Sequence, residues 1–320
     1  MAKRSAPTLV TPDNFRRAET DTTFAALVKK GALGKLTHNR DVASIDDHSV
    51  IRQNRDTLYS HAVFDLDAGP VTVTMPKAGK RYMALQVIDE DQYSPAVYFA
   101  AGAYKLERKK IGTRYVAVAI RTFFDPNDAK DVAAAHALQD AIEIRQKSKG
   151  RFQIPSWDPK SQSQVRDALL ALAATMKDFP EAFGARGEVD PVQHLICTAA
   201  GWGGNPPKAA VYQNFVPKKN DGKTVYKVTV KDVPVDGFWS VTVYNARGFF
   251  EKNELGAYSV NYVTAKKAKD GAVTIQFGGG DASTANLLPI MNGWNCAVRL
   301  YRPRKPIRDG KWTFPEPNEA

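Results

Sequence analysis

Apolar residues alternate with a period of two in two separate blocks of the chain, and this feature constrains the fold most strongly. The first block contains VTVTM (71–75), YMALQVI (82–88), AVYF (96–99) and RYVAVAI (114–120). The second contains VYKVTV (225–230), GFWSVTVYN (237–245), YSVNYVT (258–264), AVTIQFG (272–278) and NCAVRLYRP (295–303). Alternation of this kind is typical of half-buried strands, so both blocks predict β-sheets.

Helices are predicted at four positions where a hydroxyl or carboxylate residue precedes proline. A capping oxygen followed by proline favours the first turn of a helix. The expected helices are Pro12–Lys30, Pro126–Lys147, Pro159–Met176 and Pro191–Ala200. Together with the strand blocks, they predict an α+β fold that is mostly β.

The order of these patterns predicts three consecutive parts. Residues 1–125 form a β-rich N-terminal domain with a leading helix, and residues 126–204 form a helical middle segment. Residues 205–320 form an antiparallel β-sandwich, because their strands follow one another at short intervals with Asp-Gly turns between some of them. We expect a jelly-roll-like arrangement of this C-terminal domain.

Composition restricts the classes of partner. The 320 residues carry a formal net charge of +11, but the basic residues are scattered, so we predict no nucleic-acid partner. No apolar run reaches the length of a membrane span, and the N-terminus lacks an apolar segment of signal-peptide length, so we expect a cytoplasmic protein as written. A processed export form stays open. Cys197 and Cys296 lie among apolar residues, which favours buried free thiols.

A polar cluster opens the stretch QNRDTLYSHAVF (53–64). Asn54, Arg55, Asp56, Tyr59 and His61 precede or begin an apolar run that reads as a strand. An arginine beside a carboxylate suits either an anion-binding site or a buried pair that fixes a strand end. Both interpretations stay open. We predict catalytic roles for Arg55 and Tyr59, and ligand contacts for Asn54 and Asp56.

Carboxylates also follow the strand YMALQVI, in the loop DEDQY (89–93). Functional groups often lie where strands lead into loops, so Asp89 and Asp91 are the predicted acid–base residues. The loop lacks the six or more oxygen ligands of a calcium site, and the five histidines lack zinc-ligand spacing. We therefore predict no metal and no cofactor.

Aromatic and arginine side chains in the second half suit a sugar ring or a planar acid. Trp202 lies in the glycine-rich turn GWGGNPP. Trp239 lies in the predicted strand GFWSVTVYN, and Arg302 lies near the end of the predicted strand NCAVRLYRP. Aromatic rings and guanidinium groups stack and bind anions, but they also fill sandwich cores. Both interpretations stay open for these three residues, which we predict to contact a ligand.

Several separated segments resemble a bacterial two-domain family, whose halves are the domains of unknown function 1254 (N-terminal) and 1214 (C-terminal). The first half is carried by IRQNRDTLYSHAVFDLDAGP, MALQVIDEDQYSPAVYF and GTRYVAVAIRTFFDPND. The second is carried by KDVPVDGFWSVTVYNARGFFEKN, NLLP and VRLYRPRKPIRDGKWTFP. The resemblance implies a β-rich fold with a jelly-roll-like C-terminal half. It also implies export for many members, which leaves a periplasmic location open.

Two hypotheses of function follow. The first is a cofactor-independent enzyme of hydrolase or lyase type that acts on a sugar-like or carboxylated small molecule in an interdomain cleft. Asp89 or Asp91 transfers protons, Arg55 and Arg302 hold the anion, and Tyr59 and Trp239 shape the pocket. The alternative is a non-catalytic glycan-binding protein or an oligomeric assembly protein.

Overall fold

The protein was analysed as a computed structural model that describes residues 6–48, 51–176 and 178–320. Two compact units divide the chain, and each is assembled from three chain segments. Unit 1 comprises the described residues of Met1–Arg40, Tyr59–Thr122 and Ala133–Pro207. Unit 2 comprises those of Asp41–Leu58, Phe123–Val132 and Lys208–Ala320. The three-part division into 1–125, 126–204 and 205–320 stays a prediction.

The described helices and strands alternate irregularly along the chain, as an α+β fold requires. The helices are α1 (Phe15–Lys29), α2 (Arg108–Ile111), α3 (Ala129–Asp140), α4 (Pro159–Ala173), α5 (Pro191–Ala200) and α6 (Lys305–Arg308). The first eight strands are β1 (Thr37–His38), β2 (Thr57–Asp65), β3 (Val71–Met75), β4 (Met83–Asp89), β5 (Ala96–Tyr98), β6 (Gly102–Leu106), β7 (Tyr115–Phe123) and β8 (Glu143–Gln146). The remaining strands are β9 (Ala210–Phe215), β10 (Tyr226–Val230), β11 (Trp239–Tyr244), β12 (Ser259–Asn261), β13 (Val273–Phe277), β14 (Leu287–Leu288), β15 (Asn295–Tyr301) and β16 (Asn318–Glu319).

Unit 1 is built on two sheets that share one apolar core. The five-stranded sheet has the order β1-β2-β7-β4-β5, and the three-stranded sheet has the order β6-β3-β8. Alternate residues of β2, β4 and β7 point into the core between the sheets, where they meet the apolar face of β3. The intervening residues of β2, β4 and β7 therefore point away from this core, onto the outer face of the five-stranded sheet.

Helices cover one end of that outer face. Phe24 of α1 packs with Val63, Tyr115 and Ala117 of the sheet. The helices α1, α4 and α5 pack together around a small core that includes Phe15, and contacts among them exclude water from their facing sides. The other end of the outer face carries polar side chains, which are described below.

Unit 2 is a second sandwich. One sheet has the order β12-β11-β15-β9 and the other has the order β14-β13-β10-β16. The paired strands run antiparallel except β13 and β14, which run parallel. Trp239, Ile275, Phe277 and Leu300 belong to the core between the sheets. The mostly β character predicted from the alternation is confirmed, and the jelly-roll arrangement stays a prediction.

Two of the four predicted helix starts are confirmed. The starts at Pro12 and Pro126 are wrong, because α1 begins at Phe15 and α3 at Ala129, and α4 ends at Ala173, before the predicted Met176. Asp158 and Asp190 cap α4 and α5 by accepting backbone N–H groups, and proline follows each of them. The predicted helix Pro126–Lys147 is wrong beyond Asp140, because α3 ends there and β8 follows. β8 pairs with β3, so sheet pairing overrides the helical pattern in this stretch.

Candidate functional site

A group of polar side chains lies on the outer face of the five-stranded sheet in unit 1. Register places Gln86 of β4 opposite Ala119 of β7, and Ala84 opposite Arg121. Residues directly opposite one another in an antiparallel pair share a face, so all four point away from the core. The core-facing neighbours of Gln86 and Arg121 are Leu85, Val87 and Ile120.

Arg121 is the centre of this group. Its side chain is 7% exposed, and its Nη1 donates to Gln86 Oε1 at 2.7 Å and to Asn205 Oδ1 at 3.2 Å. Its Nε lies 3.4 Å from the hydroxyl oxygen of Tyr59, and the guanidinium carbon lies 5.3 Å from the centre of that ring. A buried guanidinium held in this way keeps its charge, because arginine does not lose its proton in proteins. The arrangement fixes a cation beside Tyr59.

His61 lies two residues after Tyr59 on β2, so both side chains share the outer face. The two rings are stacked, with 5.5 Å between centroids and 4° between planes. The imidazole is partly exposed to solvent, and its ring nitrogens make no hydrogen bond to the residues that the structure describes. Burial, together with the positive charges of Arg121 and Lys30, lowers the pKa of His61 to about 4. The ring is therefore neutral at physiological pH.

A loop from residue 201 to residue 205 closes one side of the polar group. The carbonyl oxygen of Gly204 accepts a hydrogen bond of 2.8 Å from Gln86 Nε2. A Cβ at position 204 would lie 2.4 Å from the ring of Phe183, so glycine is needed for the loop to pass this ring. Gln86 thus links the loop to Arg121, since its Oε1 accepts from the guanidinium.

Comparisons with known proteins give the family of the chain. Residues 33–102 match the family described as Protein of unknown function (DUF1254), and residues 212–305 match Protein of unknown function (DUF1214). The chain is a member of this two-domain family. The DUF1254 segment contains Tyr59, His61 and Gln86, and Arg121 follows it in the chain.

Solved structures show the same fold at low sequence identity. The crystal structure of the VPA0106 protein from Vibrio parahaemolyticus is 21% identical, with a TM-score of 0.72 and 97% of each chain covered. The crystal structure of an uncharacterized protein from Burkholderia cenocepacia is 14% identical, with a TM-score of 0.53, covering 92% of this chain and 86% of that one. None of the curated proteins matches the chain. No described helix is long and apolar enough to cross a membrane.

The predicted acid–base residues of the DUF1254 segment lie at the end of β4, in a network of charges. Asp89 Oδ1 accepts the backbone N–H groups of Asp91 (2.8 Å) and Tyr93 (2.9 Å). Asp91 pairs with Arg17 and with Arg186, each at 2.9 Å. Burial raises the pKa of Asp89 to about 6, against the effect of these backbone donors. The acid–base role of both aspartates stays a prediction.

Another buried carboxylate lies near this network, and it was not predicted from the sequence. Asp21 of α1 is 1% exposed, and its Oδ2 accepts the indole N–H of Trp157 at 2.9 Å. Its Oδ1 has no hydrogen-bond partner among the described residues. Burial raises the pKa of Asp21 to about 7. Nothing in the helical stretch FRRAETDTTF distinguishes this aspartate from an exposed one.

The polar cluster of the opening stretch is divided between the units. In unit 2, Arg55 donates to the carbonyl oxygen of Ala43 and lies over the rings of Phe250 (5.5 Å) and Tyr258 (5.3 Å). These contacts fix the chain segment before β2. Tyr59 and His61 instead belong to unit 1 and lie on its sheet.

Asn54 and Asp56 also lie in unit 2. Asn54 Nδ2 donates to the hydroxyl oxygens of Thr57 (2.9 Å) and Tyr301 (3.1 Å). Asp56 is 2% exposed and accepts a hydrogen bond of 3.1 Å from Ser259. Its Oδ2 lacks a partner among the described residues. A ligand contact for either residue stays a prediction.

The remaining predicted ligand contacts are spread over both units. In unit 1, Trp202 donates to Thr20 Oγ1 at 3.1 Å and meets Phe24 edge to face. In unit 2, Trp239 is 5% exposed and belongs to the sandwich core. Arg302 follows β15 with a φ of 51°, a left-handed conformation. The structure therefore does not bring these three residues together with Tyr59 in one unit.

The two cysteines are confirmed as free and buried. Burial raises the pKa of Cys197 and of Cys296 to about 12, so both remain thiols at physiological pH. No group of three or more metal-ligating side chains occurs in the part of the chain that the structure describes.

Proposed function

We propose that unit 1 binds a small carboxylated molecule on the outer face of its five-stranded sheet, and that His61 transfers a proton during its hydrolysis or elimination. One observation carries this proposal. A neutral, partly exposed imidazole, whose ring makes no hydrogen bond to the described residues, stacks on Tyr59, and the fixed guanidinium of Arg121 contacts the same ring. Proton transfer needs an accessible nitrogen, and recognition of an anion needs a fixed cation.

The ligand class follows from Arg121. A guanidinium is planar and binds a carboxylate through paired N–H groups better than it binds a neutral oxygen. The stacked rings of Tyr59 and His61 supply an aromatic surface on β2.

Ligand binding and the basicity of His61 are coupled in this proposal. An imidazole with a pKa near 4 is a weak base, and the positive charge of Arg121 is one cause of that value. A carboxylate on Arg121 compensates this charge, so the pKa of His61 rises in the complex. The base thus becomes effective when the ligand is in place, close to the operating pH.

In hydrolysis His61 would accept a proton from water as the water oxygen bonds to the reacting carbon, and would return it to the alcohol oxygen whose bond to that carbon breaks. In elimination it would accept the proton from the carbon next to the carboxylate as the double bond forms, and would return it to the oxygen that leaves the neighbouring carbon. The carboxylate Asp89 is a second candidate for acid–base work, because its pKa is raised to about 6. However, Asp89 Oδ1 accepts two backbone N–H groups of the turn that follows β4, from Asp91 and Tyr93. These contacts favour a role in fixing the turn over a role in proton transfer. His61→Gln and Asp89→Asn separate the two assignments.

The test measures binding and turnover with the full chain. Succinate, benzoate and glucuronate are titrated by calorimetry, and esters and glycosides of the same acids are screened for product. We expect at least one of these acids to bind, with Arg121→Gln weakening its affinity about tenfold or more. We expect His61→Gln to bind it and to lose turnover. His136→Gln is the matched control, since His136 lies on α3 and its ring bonds to the carbonyl oxygen of Arg40.

One result would support the alternative function, and another would contradict the proposed site. Affinity for a carboxylate without turnover of any derivative supports the alternative, a non-catalytic binding protein. Affinity that is unchanged in a folded Arg121→Gln variant contradicts the proposed site, and circular dichroism establishes whether that variant is folded.

A further inference from the structure

Unit 2 contains a cavity of about 480 Å³ at one end of its sandwich. This volume lies within the range of roughly 300–1,000 Å³ that small-molecule sites occupy. The walls come from the connection between β10 and β11, from the segment after β12 and from the start of β13. Its aromatic and charged lining residues include Trp239, Tyr262, Lys267, Asp232, Lys231 and Arg304.

The aromatic rings of this cavity differ in exposure. Trp239 is 5% exposed and belongs to the core, so its ring is fixed in the cavity wall. Its indole N–H makes no hydrogen bond to any residue that the structure describes. Tyr262 is 37% exposed, although large apolar or aromatic side chains are mostly buried in this unit. A fixed indole and an exposed phenol ring thus line the same recess.

The charged groups of the cavity fall into two kinds. Arg304 is paired with Asp236 at 2.7 Å, and Lys231 is paired with Asp270 at 3.4 Å. Lys267 instead has its Nζ 5.1 Å from the centre of the Tyr262 ring, and no described carboxylate pairs with it.

Asp232 is the complementary acceptor. Its side chain is exposed and makes no ion pair or hydrogen bond within the described part of the chain. Its φ is 50°, a left-handed conformation that aspartate tolerates better than most residues. One ammonium donor and one carboxylate acceptor therefore stand at the cavity without a hydrogen-bond or ion-pair partner among the residues that the structure describes.

We propose that this cavity binds a pyranose ring of a saccharide. The C–H face of a pyranose packs on an aromatic ring, and its hydroxyl groups need both donors and acceptors. Tyr262 offers the ring surface, Asp232 accepts from hydroxyls, and Lys267 and the Trp239 indole donate to oxygens. The site is in unit 2 and is independent of the proposed site around His61.

The charge of the saccharide determines which interaction Lys267 makes with it. A neutral sugar accepts a hydrogen bond from its ammonium group, and a uronic acid forms an ion pair with it. The two classes share the pyranose ring, so the experiment includes both. Ion pairing is weakened by salt, which distinguishes a uronate from a neutral sugar at the same site.

The test titrates the full chain with cellohexaose, maltohexaose and an oligogalacturonate. Indole N–H signals are followed by NMR, with the Trp239 signal assigned from Trp239→Phe. We expect one of the three probes to shift the Trp239 signal with saturation, and Tyr262→Ala to weaken that binding tenfold or more. Lys267→Ala is expected to weaken it about threefold or more, with a larger effect at low salt for the oligogalacturonate.

Lys266→Ala is the matched control, because Lys266 is the exposed neighbour of Lys267 and does not line the cavity. Its affinity should equal that of the parent protein. Two results overturn the proposal. The first is that none of the three probes binds the parent protein with saturation. The second is that binding is unchanged in Tyr262→Ala and Lys267→Ala, which would place the saccharide elsewhere.

Discussion

The imidazole of His61 lies parallel to the ring of Tyr59, with 5.5 Å between centroids, and the guanidinium carbon of Arg121 lies 5.3 Å from that same Tyr59 ring. Tyr59 thus contacts both a neutral base and a fixed cation on one face of a sheet. An anion bound to Arg121 would therefore change the electrostatic potential at the imidazole of His61, and with it the pKa of that ring.

The affinity for a carboxylate should depend on pH through His61. Its pKa is about 4 in the free protein and is expected to be higher in the complex, so binding takes up a proton between these two values. Affinity therefore rises as pH falls through this window. Calorimetry at several pH values, in buffers with different ionisation enthalpies, measures the uptake. His61→Gln should abolish it, and an equal uptake in that variant would assign the proton to another group.

Replacement of Gly204 should destabilise unit 1. A Cβ at this position lies 2.4 Å from the Phe183 ring, so Gly204→Ala forces either the ring or the loop that contacts Gln86 to move. We expect a loss of about 1–3 kcal/mol in the free energy of unfolding, measured with urea. Gly201→Ala is the control, because its Cβ would lie 3.5 Å from the same ring, an ordinary contact. Equal losses in both variants would contradict the close approach at residue 204.

Asp21 should make stability fall as pH rises. Its pKa in the folded protein, about 7, lies above the value of an unfolded aspartate, so the folded state holds an extra proton between about pH 4 and 7. Asp21→Asn should therefore raise stability at pH 8, by on the order of 1–3 kcal/mol, and reduce the pH dependence. Urea unfolding at pH 5 and pH 8 measures both. Asp167→Asn on the exposed side of α4 should change neither.

The pH dependence of the free energy of unfolding does not come from Asp21 alone. Burial also raises the pKa of Asp89 to about 6 and that of Glu90, so both contribute in the same direction. Asp21→Asn should therefore reduce the slope and leave a part of it. A variant with the full slope of the parent protein would show that Asp21 is ionised in the folded state at neutral pH.

Arg55→Ala should destabilise unit 2 without changing carboxylate affinity. The side chain lies over Phe250 and Tyr258 and donates to the carbonyl oxygen of Ala43, so its loss removes packing and a hydrogen bond. We expect a loss of about 1–3 kcal/mol in the free energy of unfolding. Calorimetric titration of the folded variant should give the affinity of the parent protein. Lost affinity in a fully folded variant would instead support the ligand role predicted from the sequence.

The sheet alternation was readable in the sequence because it is a local property. The period of two in β4 and β7 correctly separates Met83, Leu85 and Val87 from their outward neighbours. It does not indicate which side chains from different strands meet. Arg121 lies just beyond the predicted strand RYVAVAI, and its contact with Gln86 depends on the register of β4 with β7. The signals that could have found both residues were a polar residue inside one apolar run, Gln86, and an arginine directly after the other, Arg121.

The interleaved units could not be predicted in the same way. Asp41–Leu58 and Phe123–Val132 belong to unit 2, although both are flanked in the sequence by unit 1. Their assignment depends on contacts across long sequence separations, such as Asn54 with Tyr301. Nothing in the local composition of QNRDTLYSH indicates that its first residues and its last residues serve different units.

The most direct test of the central proposal is an NMR pH titration of the His61 ring protons, without ligand and with saturating carboxylate. We expect a pKa of His61 near 4 in the free protein and a clearly higher value in the complex. A free-protein pKa close to that of an ordinary histidine, or the same pKa with and without ligand, would contradict the proposal.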